Sequence, residues 1–471
     1  MGRKSWLILA GILILGFVVR IYKIQSLPLY GDELTMVYDT YSIGKTGMDA
    51  TGQKFPLTFK MGAGRPGGYI YFSVPFVYLF GPTVWGERAL SLLSGLGIVI
   101  LMYFLGKQIF NQKIGLIAAL LTAVSPWDIY LSRGGFEAHF ALFLALLGIT
   151  MFVYKKYSWW AVAWGIAIFT YPTFKLTLPL MFFLLGFVTG FPKLIRNKMF
   201  LISISVLLVF GIMAVTQTFM AGSEQRFLSE NVFADRNLKE SIIQRVNYER
   251  TNSSLPQFLK PVFINREVEY ARLVFENYVK NLSPNFLILR GDGNPRHNPG
   301  EMGMIYVVEL LLIVIALHML WKENKKEFSL LLVWILITPL ATMFFPEAHA
   351  LRNGLMLPPL ILLSSYALSK IPKRFAIAFS IMILIQLIYI LARVYSIAPV
   401  KFASFWSIEA KKMALEAIRI QSGGKEVILN VNEIDNIEYA YEVYAKVDPN
   451  LVIAQYGKIP KVYGNVVITD K

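Results

Sequence analysis

Long apolar runs separated by short polar connections dominate the chain. Each run is close to the roughly 20 residues that a helix needs to cross the hydrocarbon core of a bilayer. The runs that we interpret as membrane-spanning are, in order, residues 6–24, 85–106, 114–131, 137–154, 158–171, 174–190, 200–219, 303–321, 328–345, 352–368 and 374–395. The pattern therefore predicts an all-α polytopic membrane protein with about 11 transmembrane helices.

Basic residues cluster in alternate connections between these runs. The clusters are Arg3-Lys4, Lys107 with Lys113, Lys155-Lys156, Lys193 with Arg196 and Lys198, Lys322 with Lys325 and Lys326, and Lys370 with Lys373 and Arg374. Because Lys and Arg concentrate in cytoplasmic loops, these connections and the N-terminus are predicted to be cytoplasmic. Outer loops 25–84 and 220–302 and the C-terminus then lie outside, in a multi-pass plasma-membrane protein.

Shorter patterns predict structure on the outer face. Residues Glu33 to Gly44 have the spacing of an interfacial helix, and Tyr69 to Phe80 form an apolar segment too short to span. After residue 396 we predict a small α/β cap from these segments: helices Ile408–Ile420 and Ile434–Lys446, and strands Glu426–Val431, Leu451–Ala454 and Val466–Thr469. The chain then divides into a transmembrane domain, residues 1–395, and an extracytoplasmic domain, residues 396–471.

Composition agrees with this interpretation and excludes several classes of protein. Hydrophobic residues make up 55% of the 471 positions and charged residues only 16%, against roughly 25% in soluble proteins. The net charge of +16 is spread over the loop clusters, so it indicates membrane orientation and no nucleic-acid partner. There is no cysteine, and no two of the four histidines have metal-ligand spacing on one helix, which argues against a His-rich zinc site.

The adjacent acids Asp32 and Glu33 follow the first span. A carboxylate at the membrane surface can act as general base towards an acceptor hydroxyl. The alternative is that Asp32 caps the helix beginning at Glu33, an arrangement worth about 1 kcal/mol. Both roles can coexist, with one acid capping and the other reacting.

A second acidic turn contains Asp128, Arg133 and Glu137. One interpretation is an ion-pair cluster that holds the turn together. Against it, Gly134 and Gly135 permit a ligand to approach the backbone, and Glu137 opens the fourth span, where ionisable groups are expensive and usually functional. We prefer Glu137 of the two acids for a catalytic role, and retain Asp128 and Arg133 as substrate-binding candidates.

Cationic side chains on the outer face are candidates for binding a phosphate. His349 and Arg352 are three residues apart at the start of the tenth predicted span, and a guanidinium suits bidentate phosphate binding. The alternative for Arg352 is a side chain that anchors the helix end by reaching towards water. Lys60, Arg65 and Arg88 are further candidates.

These motifs together resemble the C superfamily of membrane glycosyltransferases. The resemblance rests on the Asp32-Glu33 pair after an N-terminal helix, the Gly81 to Ser91 stretch, the Ser125 to Glu137 turn, and the region from Ala350 to Pro359. It is greatest towards the dolichyl-phosphate-mannose–protein mannosyltransferases and the lipid A aminoarabinose transferases. Where those mannosyltransferases more often have Arg and Asp in the second loop, this chain has Gly-Gly-Phe-Glu.

The resemblance implies a glycosyltransferase that moves a sugar from a polyprenyl-phosphate donor to a hydroxyl on a protein, glycan or lipid. It implies Asp32 as base, with Glu33 beside it and Glu137 as the second-loop acid, and direct displacement would invert the anomeric centre. Two or three carboxylates on one face could hold a divalent cation, so the expected cofactor is either none or one such ion. Two other hypotheses stay open: a transporter or flippase of lipid-linked envelope intermediates, and a non-catalytic envelope scaffold.

Overall fold

A computed structural model describes residues 2–60, 64–220 and 231–471, so parts of both predicted outer loops, at 61–63 and 221–230, lie outside the described residues. The helices of the N-terminal half are α1 (Arg3–Ile21), α2 (Gly31–Thr46), α3 (Gly68–Phe80), α4 (Val84–Ile109), α5 (Gln112–Val124), α6 (Pro126–Leu131), α7 (Glu137–Val153), α8 (Tyr157–Ile168), α9 (Phe174–Thr189), α10 (Phe191–Ile195) and α11 (Lys198–Met220). Strands β1 (Thr58–Phe59) and β2 (Arg65–Pro66) pair antiparallel, with Phe59 opposite Arg65.

The C-terminal half continues with helices and ends in a small sheet. Its helices are α12 (Arg236–Asn252), α13 (Lys260–Phe263), α14 (Arg266–Leu282), α15 (Val307–Glu323), α16 (Lys325–Ile337), α17 (Leu357–Lys370), α18 (Lys373–Ala392), α19 (Ala398–Lys401), α20 (Ile408–Ser422), α21 (Ile437–Tyr444) and α22 (Pro449–Gln455). Strands β3 (Val427–Asn430), β4 (Lys461–Tyr463) and β5 (Val466–Thr469) form a sheet in the order β3-β5-β4. In it β3 runs parallel and β4 antiparallel to β5.

Every run predicted to span the membrane contains a helix, which confirms a mostly helical polytopic protein with a small C-terminal sheet. Among the described residues, four helices are long and apolar enough to cross a bilayer: Arg3–Ile21, Val84–Ile109, Lys198–Thr218 and Lys373–Lys401. The count of 11 spans therefore stays a prediction. The run 114–131 is broken at Ser125, whose backbone leaves the helical region and whose hydroxyl accepts a hydrogen bond from the Asp128 amide at the start of α6.

Helix α2 is more deeply buried than an interfacial helix. Leu34, Val37 and Tyr38 have the predicted helical spacing, but their side chains are fully buried. They share one hydrophobic core with Ala414 of α20 and Ala440 of α21. The helix that carries Asp32 and Glu33 thus packs against the C-terminal cap and shares a hydrophobic core with it. The domain boundary at residue 396 stays a prediction.

The cap has the predicted α/β character with two local differences. Strand β5 has the predicted bounds, but Leu451–Ala454 lies in helix α22 and the third strand is β4. The Asp448 carboxylate accepts a hydrogen bond from the Asn450 amide, and Pro449 occupies the first turn. An Asp-Pro start of this kind favours a helix over the apolar strand that we predicted.

Candidate functional site

The two adjacent acids of the first outer loop occupy different environments. Glu33 is fully buried and accepts hydrogen bonds from the Tyr30 and Gly135 amides, at 3.3 and 2.6 Å. Both of its carboxylate oxygens also bind the Arg88 guanidinium, at 2.7 Å each. Asp32, by contrast, has a side chain that is 46% exposed. Of the pair, only Asp32 can therefore meet a substrate without the loss of a buried ion pair.

Arg88 directs all of its donors into the protein. Besides Glu33, the guanidinium donates to the carbonyl oxygens of Ile24, Leu27 and Pro28, at 2.8 to 3.0 Å. These bonds account for all five N–H groups of the side chain. The Trp406 ring of the cap covers the same guanidinium at 5.1 Å. Arg88 fixes the start of the first outer loop, and no donor is left for the phosphate that we had assigned to it.

Arg65 lies between Asp32 and Glu137. Its Nη2 is 3.0 Å from Asp32 Oδ1, and its Nε is 3.6 Å from Glu137 Oε1. Nη1 also donates to the Asp32 carbonyl and to the Thr35 hydroxyl, at 3.2 and 3.4 Å. The fold thus brings together two acids 105 positions apart in the chain and one cationic candidate.

The guanidinium of Arg65 stays charged although its side chain is only 2% exposed. Burial alone would lower the pKa of Arg65, but the carboxylates of Glu137 and Asp32 outweigh burial and raise it. Position 65 is set by the short β1–β2 pair, in which Arg65 lies opposite Phe59. Lys60 directly follows β1 and is exposed.

Asp128 belongs to a buried network away from solvent. One carboxylate oxygen is 2.5 Å from Arg20 Nη2, and the other is 2.9 Å from His139 Nε2. The second ring nitrogen of His139 lies 3.2 Å from the Ser91 hydroxyl. All of these side chains are buried, so the structure uses Asp128 to connect helices α1, α6 and α7 where we expected contact with substrate.

Arg133 caps the end of α1. Its guanidinium donates to the carbonyl oxygens of Arg20, Tyr22 and Lys23, at 2.7, 2.6 and 3.1 Å, and lies against the Tyr395 ring. A cation at a helix C-terminus satisfies carbonyls that have no partner within the helix. The ion-pair cluster of Asp128, Arg133 and Glu137 is therefore wrong, because each of the three has a different partner.

Glu87 was not singled out as catalytic, yet it borders the site. Its carboxylate is fully buried, and within the described residues neither oxygen has a hydrogen-bond partner. A Cβ added to Gly135 would lie 2.4 Å from Glu87 Oε1, so only glycine allows the second acidic turn to approach this closely. The sequence did offer a signal for Glu87: it directly precedes Arg88 at the start of an apolar run, where an ionisable residue is usually functional.

A second cluster of titratable groups consists of Asp292 and His297, from the predicted outer loop 220–302, and His349, which follows the predicted span 328–345. Asp292 Oδ2 lies 3.0 Å from His297 Nδ1 and 3.8 Å from His349 Nδ1, and accepts a hydrogen bond from the Ala350 amide at 2.7 Å. Burial alone would raise the pKa of Asp292, but the hydrogen bond from His297 and the charges of His297 and His349 lower it to about 2. The His297 ring contacts Phe136, which directly precedes Glu137. The Arg352 guanidinium lies 3.6 Å from the Phe345 ring centre.

Asp292, His297 and His349 are the residues that could hold a metal ion in the described part of the chain. One ligand atom from each lies within 4.8 Å of the others. Two imidazoles and one carboxylate suit zinc better than magnesium. Guanidinium groups already neutralise the carboxylates of Asp32, Glu33 and Glu137, so these acids are poorer candidates for the divalent cation considered from the sequence, which stays a prediction. From helix spacing we expected no site with two histidines, but His297 and His349, which are remote in the sequence, lie with their ring centres 4.6 Å apart.

Residues 65–215 match the family described as dolichyl-phosphate-mannose-protein mannosyltransferase. The predicted resemblance to C-superfamily membrane glycosyltransferases is confirmed. Two structures of ArnT from Cupriavidus metallidurans, bound to undecaprenyl phosphate and in the apo state, share the fold with TM-scores of 0.53 and 0.51. They are 13% and 14% identical, over 94% and 93% of this chain and 85% and 84% of theirs.

The oligosaccharyltransferase AglB from Archaeoglobus fulgidus is also similar, with a TM-score of 0.47 and 13% identity over 85% of this chain. The chain spans only 56% of the length of that archaeal enzyme. No curated protein matches the chain. The family match covers about a third of the chain, and together with the long apolar helices it supports a location in a membrane.

Proposed function

We propose that this protein moves a sugar from a polyprenyl-phosphate donor to a hydroxyl acceptor at the outer face of the plasma membrane. The observation that carries the proposal is the group formed by Asp32, Arg65 and Glu137. The partly exposed Asp32 carboxylate pairs with the buried, charged Arg65 guanidinium, and the less exposed Glu137 carboxylate lies 3.6 Å from Nε of the same guanidinium. ArnT, whose fold this chain shares, binds undecaprenyl phosphate, which supports the choice of donor.

The group contains what such a transfer requires. Asp32 takes the proton from the acceptor hydroxyl as the oxygen forms a bond to the anomeric carbon. The bond between that carbon and the phosphate oxygen breaks, and its electron pair leaves with the phosphate, whose charge Arg65 stabilises. Phosphate is a good leaving group, so no general acid is needed. A single displacement inverts the anomeric centre.

The test compares Asp32→Asn with Asp470→Asn, a matched substitution at an exposed position in the cap. Each variant replaces wild type in the host, and lipid and envelope fractions are analysed by mass spectrometry. We expect Asp32→Asn to lose a glycan mass that wild type and Asp470→Asn both produce. Normal glycan in an Asp32→Asn strain would overturn the role of base. Movement of labelled lipid across liposomes without any modified acceptor would instead support the flippase hypothesis.

The proposed orientation places the N-terminus in the cytoplasm and the C-terminus outside. It is supported by contacts that gather the predicted outer segments on one side: Tyr130 donates to the Pro295 carbonyl, and Arg296 donates to the Phe405 carbonyl. Because the chain has no cysteine, single-cysteine variants report orientation without background. A membrane-impermeant maleimide should label Lys458→Cys in intact cells but label Lys193→Cys only after lysis.

We also propose that, if a cation assists, the cluster of Asp292, His297 and His349 holds it. When bound, a divalent ion supplies positive charge that stabilises an anionic phosphate. Asp292 and His297 lie on one loop and His349 on another, so the ion would also tie the two outer segments together.

A further inference from the structure

Arg65 has a donor edge that the protein matches poorly. A guanidinium offers Nε and one terminal nitrogen as a parallel fork that suits two oxygens of a single carboxylate or phosphate. In Arg65 the two atoms of that fork face different acids, Nε towards Glu137 and Nη2 towards Asp32. Within the described residues, neither nitrogen makes a well-directed hydrogen bond, although both are buried. The two carboxylates therefore balance the charge of the guanidinium, but the two nitrogens of the fork lack well-directed hydrogen bonds.

Asp32 is the replaceable member of this arrangement. The side chain of Asp32 is 46% exposed, whereas those of Arg65 and Glu137 are 2% and 10% exposed. Arg65 is also held from the other side, because Nη1 donates to the Asp32 carbonyl and Thr35 hydroxyl. A phosphate that arrives from solvent can thus displace the Asp32 carboxylate from Nη2 while the guanidinium stays in place.

We propose that the donor phosphate and the Asp32 carboxylate compete for Arg65, so that donor binding releases Asp32 to act as base. This inference rests on the proposed function. Before donor binding, the ion pair stabilises ionised Asp32 and makes it a weaker proton acceptor. After a phosphate oxygen takes the place of the Asp32 carboxylate at Nη2, Asp32 loses its cationic partner and gains proton affinity beside the acceptor. Activation of the acceptor hydroxyl then follows donor binding and does not precede it.

The test measures the affinity of the full-length protein in nanodiscs for undecaprenyl phosphate. Removing the competing charge with Asp32→Asn should tighten binding, by roughly two- to fivefold for a partly exposed pair. Asp470→Asn should bind like wild type. Arg65→Lys should bind more weakly, since a lysine lacks the fork, and Asp32→Asn added to Arg65→Lys should give a smaller gain. These double-variant values separate competition from a general change in the site.

A second arm uses inorganic phosphate, which carries the same oxygens without the lipid. It should displace undecaprenyl phosphate at high concentration, and less of it should be needed with Asp32→Asn. A gain for inorganic phosphate alone would overturn the assignment of the lipid phosphate to this fork. If wild type binds undecaprenyl phosphate and Asp32→Asn binds equally or more weakly, the competition is overturned while the proposed function stands. If wild type binds no undecaprenyl phosphate, the choice of donor in the proposed function fails.

Discussion

Arg88 donates to both carboxylate oxygens of Glu33 across 55 positions of the chain, at 2.7 Å each. This buried ion pair connects the start of α4 to the start of α2. It also explains why two adjacent acids differ in role. Glu33 stabilises the loop, and Asp32, one position earlier, is turned towards Arg65 and solvent.

The first prediction concerns this buried pair. Arg88→Ala leaves the Glu33 carboxylate buried without its counter-ion, and breaking such a pair costs about 3–5 kcal/mol. We expect the variant to unfold well below the wild-type temperature in detergent, measured by differential scanning fluorimetry. Arg245→Ala is the matched control, because Arg245 pairs with Glu249 in solvent, and it should melt like wild type. Equal melting of Arg88→Ala and wild type would contradict a structural role.

The second prediction concerns the contact between α2 and the cap. A Cβ added to Gly31 would lie 2.6 Å from the Asn436 side-chain oxygen, so Gly31→Ala should force the Asn436 side chain to move, loosen its contact with α2 and modestly lower the melting temperature and transfer. Asn436 has a φ of 63°, a conformation that glycine adopts freely, so Asn436→Gly should fold well. Combining the two substitutions removes the clash and should restore most of the lost melting temperature and transfer. If the double variant is as impaired as Gly31→Ala alone, the contact is not the cause.

The third prediction is a pH dependence of stability from Asp39. Burial raises the pKa of Asp39 from its usual 3.8 to about 7, with the nearby Asp49 and Glu442 adding to the rise and the Ala50 amide and Arg65 opposing it. The folded state therefore holds a proton that the unfolded state releases between about pH 4 and pH 7. Stability contributed by this group is complete below pH 4 and falls as pH rises to about 7, by up to about 1.4 kcal/mol per unit.

Asp39→Asn isolates this contribution, because its side-chain oxygen can still accept from the Ala50 amide. Wild type and variant should melt at similar temperatures at pH 4, and the variant should melt progressively higher than wild type towards pH 7. Asp292 titrates in the opposite sense and near pH 2, outside this range. A constant difference in melting temperature from pH 4 to pH 7 would mean that Asp39 is ionised throughout.

The fourth prediction concerns metal content. His297→Ala and His349→Ala should each lower the zinc bound by the purified full-length protein, measured by inductively coupled plasma mass spectrometry after equilibration with zinc chloride. His318→Ala is the control, because that histidine lies in α15 and outside the cluster. Equal zinc in all three variants and wild type would show that the ion is adventitious and that the cluster is an ion pair between two loops.

The local patterns predicted the helices because periodicity and apolar length are properties of neighbouring residues. The run 374–395 and the strand Val466–Thr469 are examples. The partners of buried charges could not be predicted in this way. Arg20 and Asp128 are 108 positions apart, and their pairing depends on how α1 packs against α5 and α6. An arginine inside an apolar run was nevertheless a signal that a buried partner exists.

Candidate site residues followed the same division. From the sequence we expected acids and cationic side chains to share one pocket. The sequence did not predict that Arg65 would be the cation between Asp32 and Glu137. Arg88, Arg133 and Asp128 looked equivalent to Arg65 as polar groups near helix ends. The structure separates them, because the first three use their polar atoms on buried carbonyl groups or charged partners.

The Tyr38 hydroxyl donates to the carbonyl of Val447, so a helix near the beginning of the chain is completed by residues near its end. During synthesis, α2 leaves the ribosome long before α20, α21 and the sheet exist to cover it. Its apolar face stays without its final partner until the last of these segments has been synthesised. Maturation of the Asp32 loop is therefore a late event, and a nascent chain that stalls before the cap would carry Asp32, Arg65 and Glu137 and still lack the surface that covers α2.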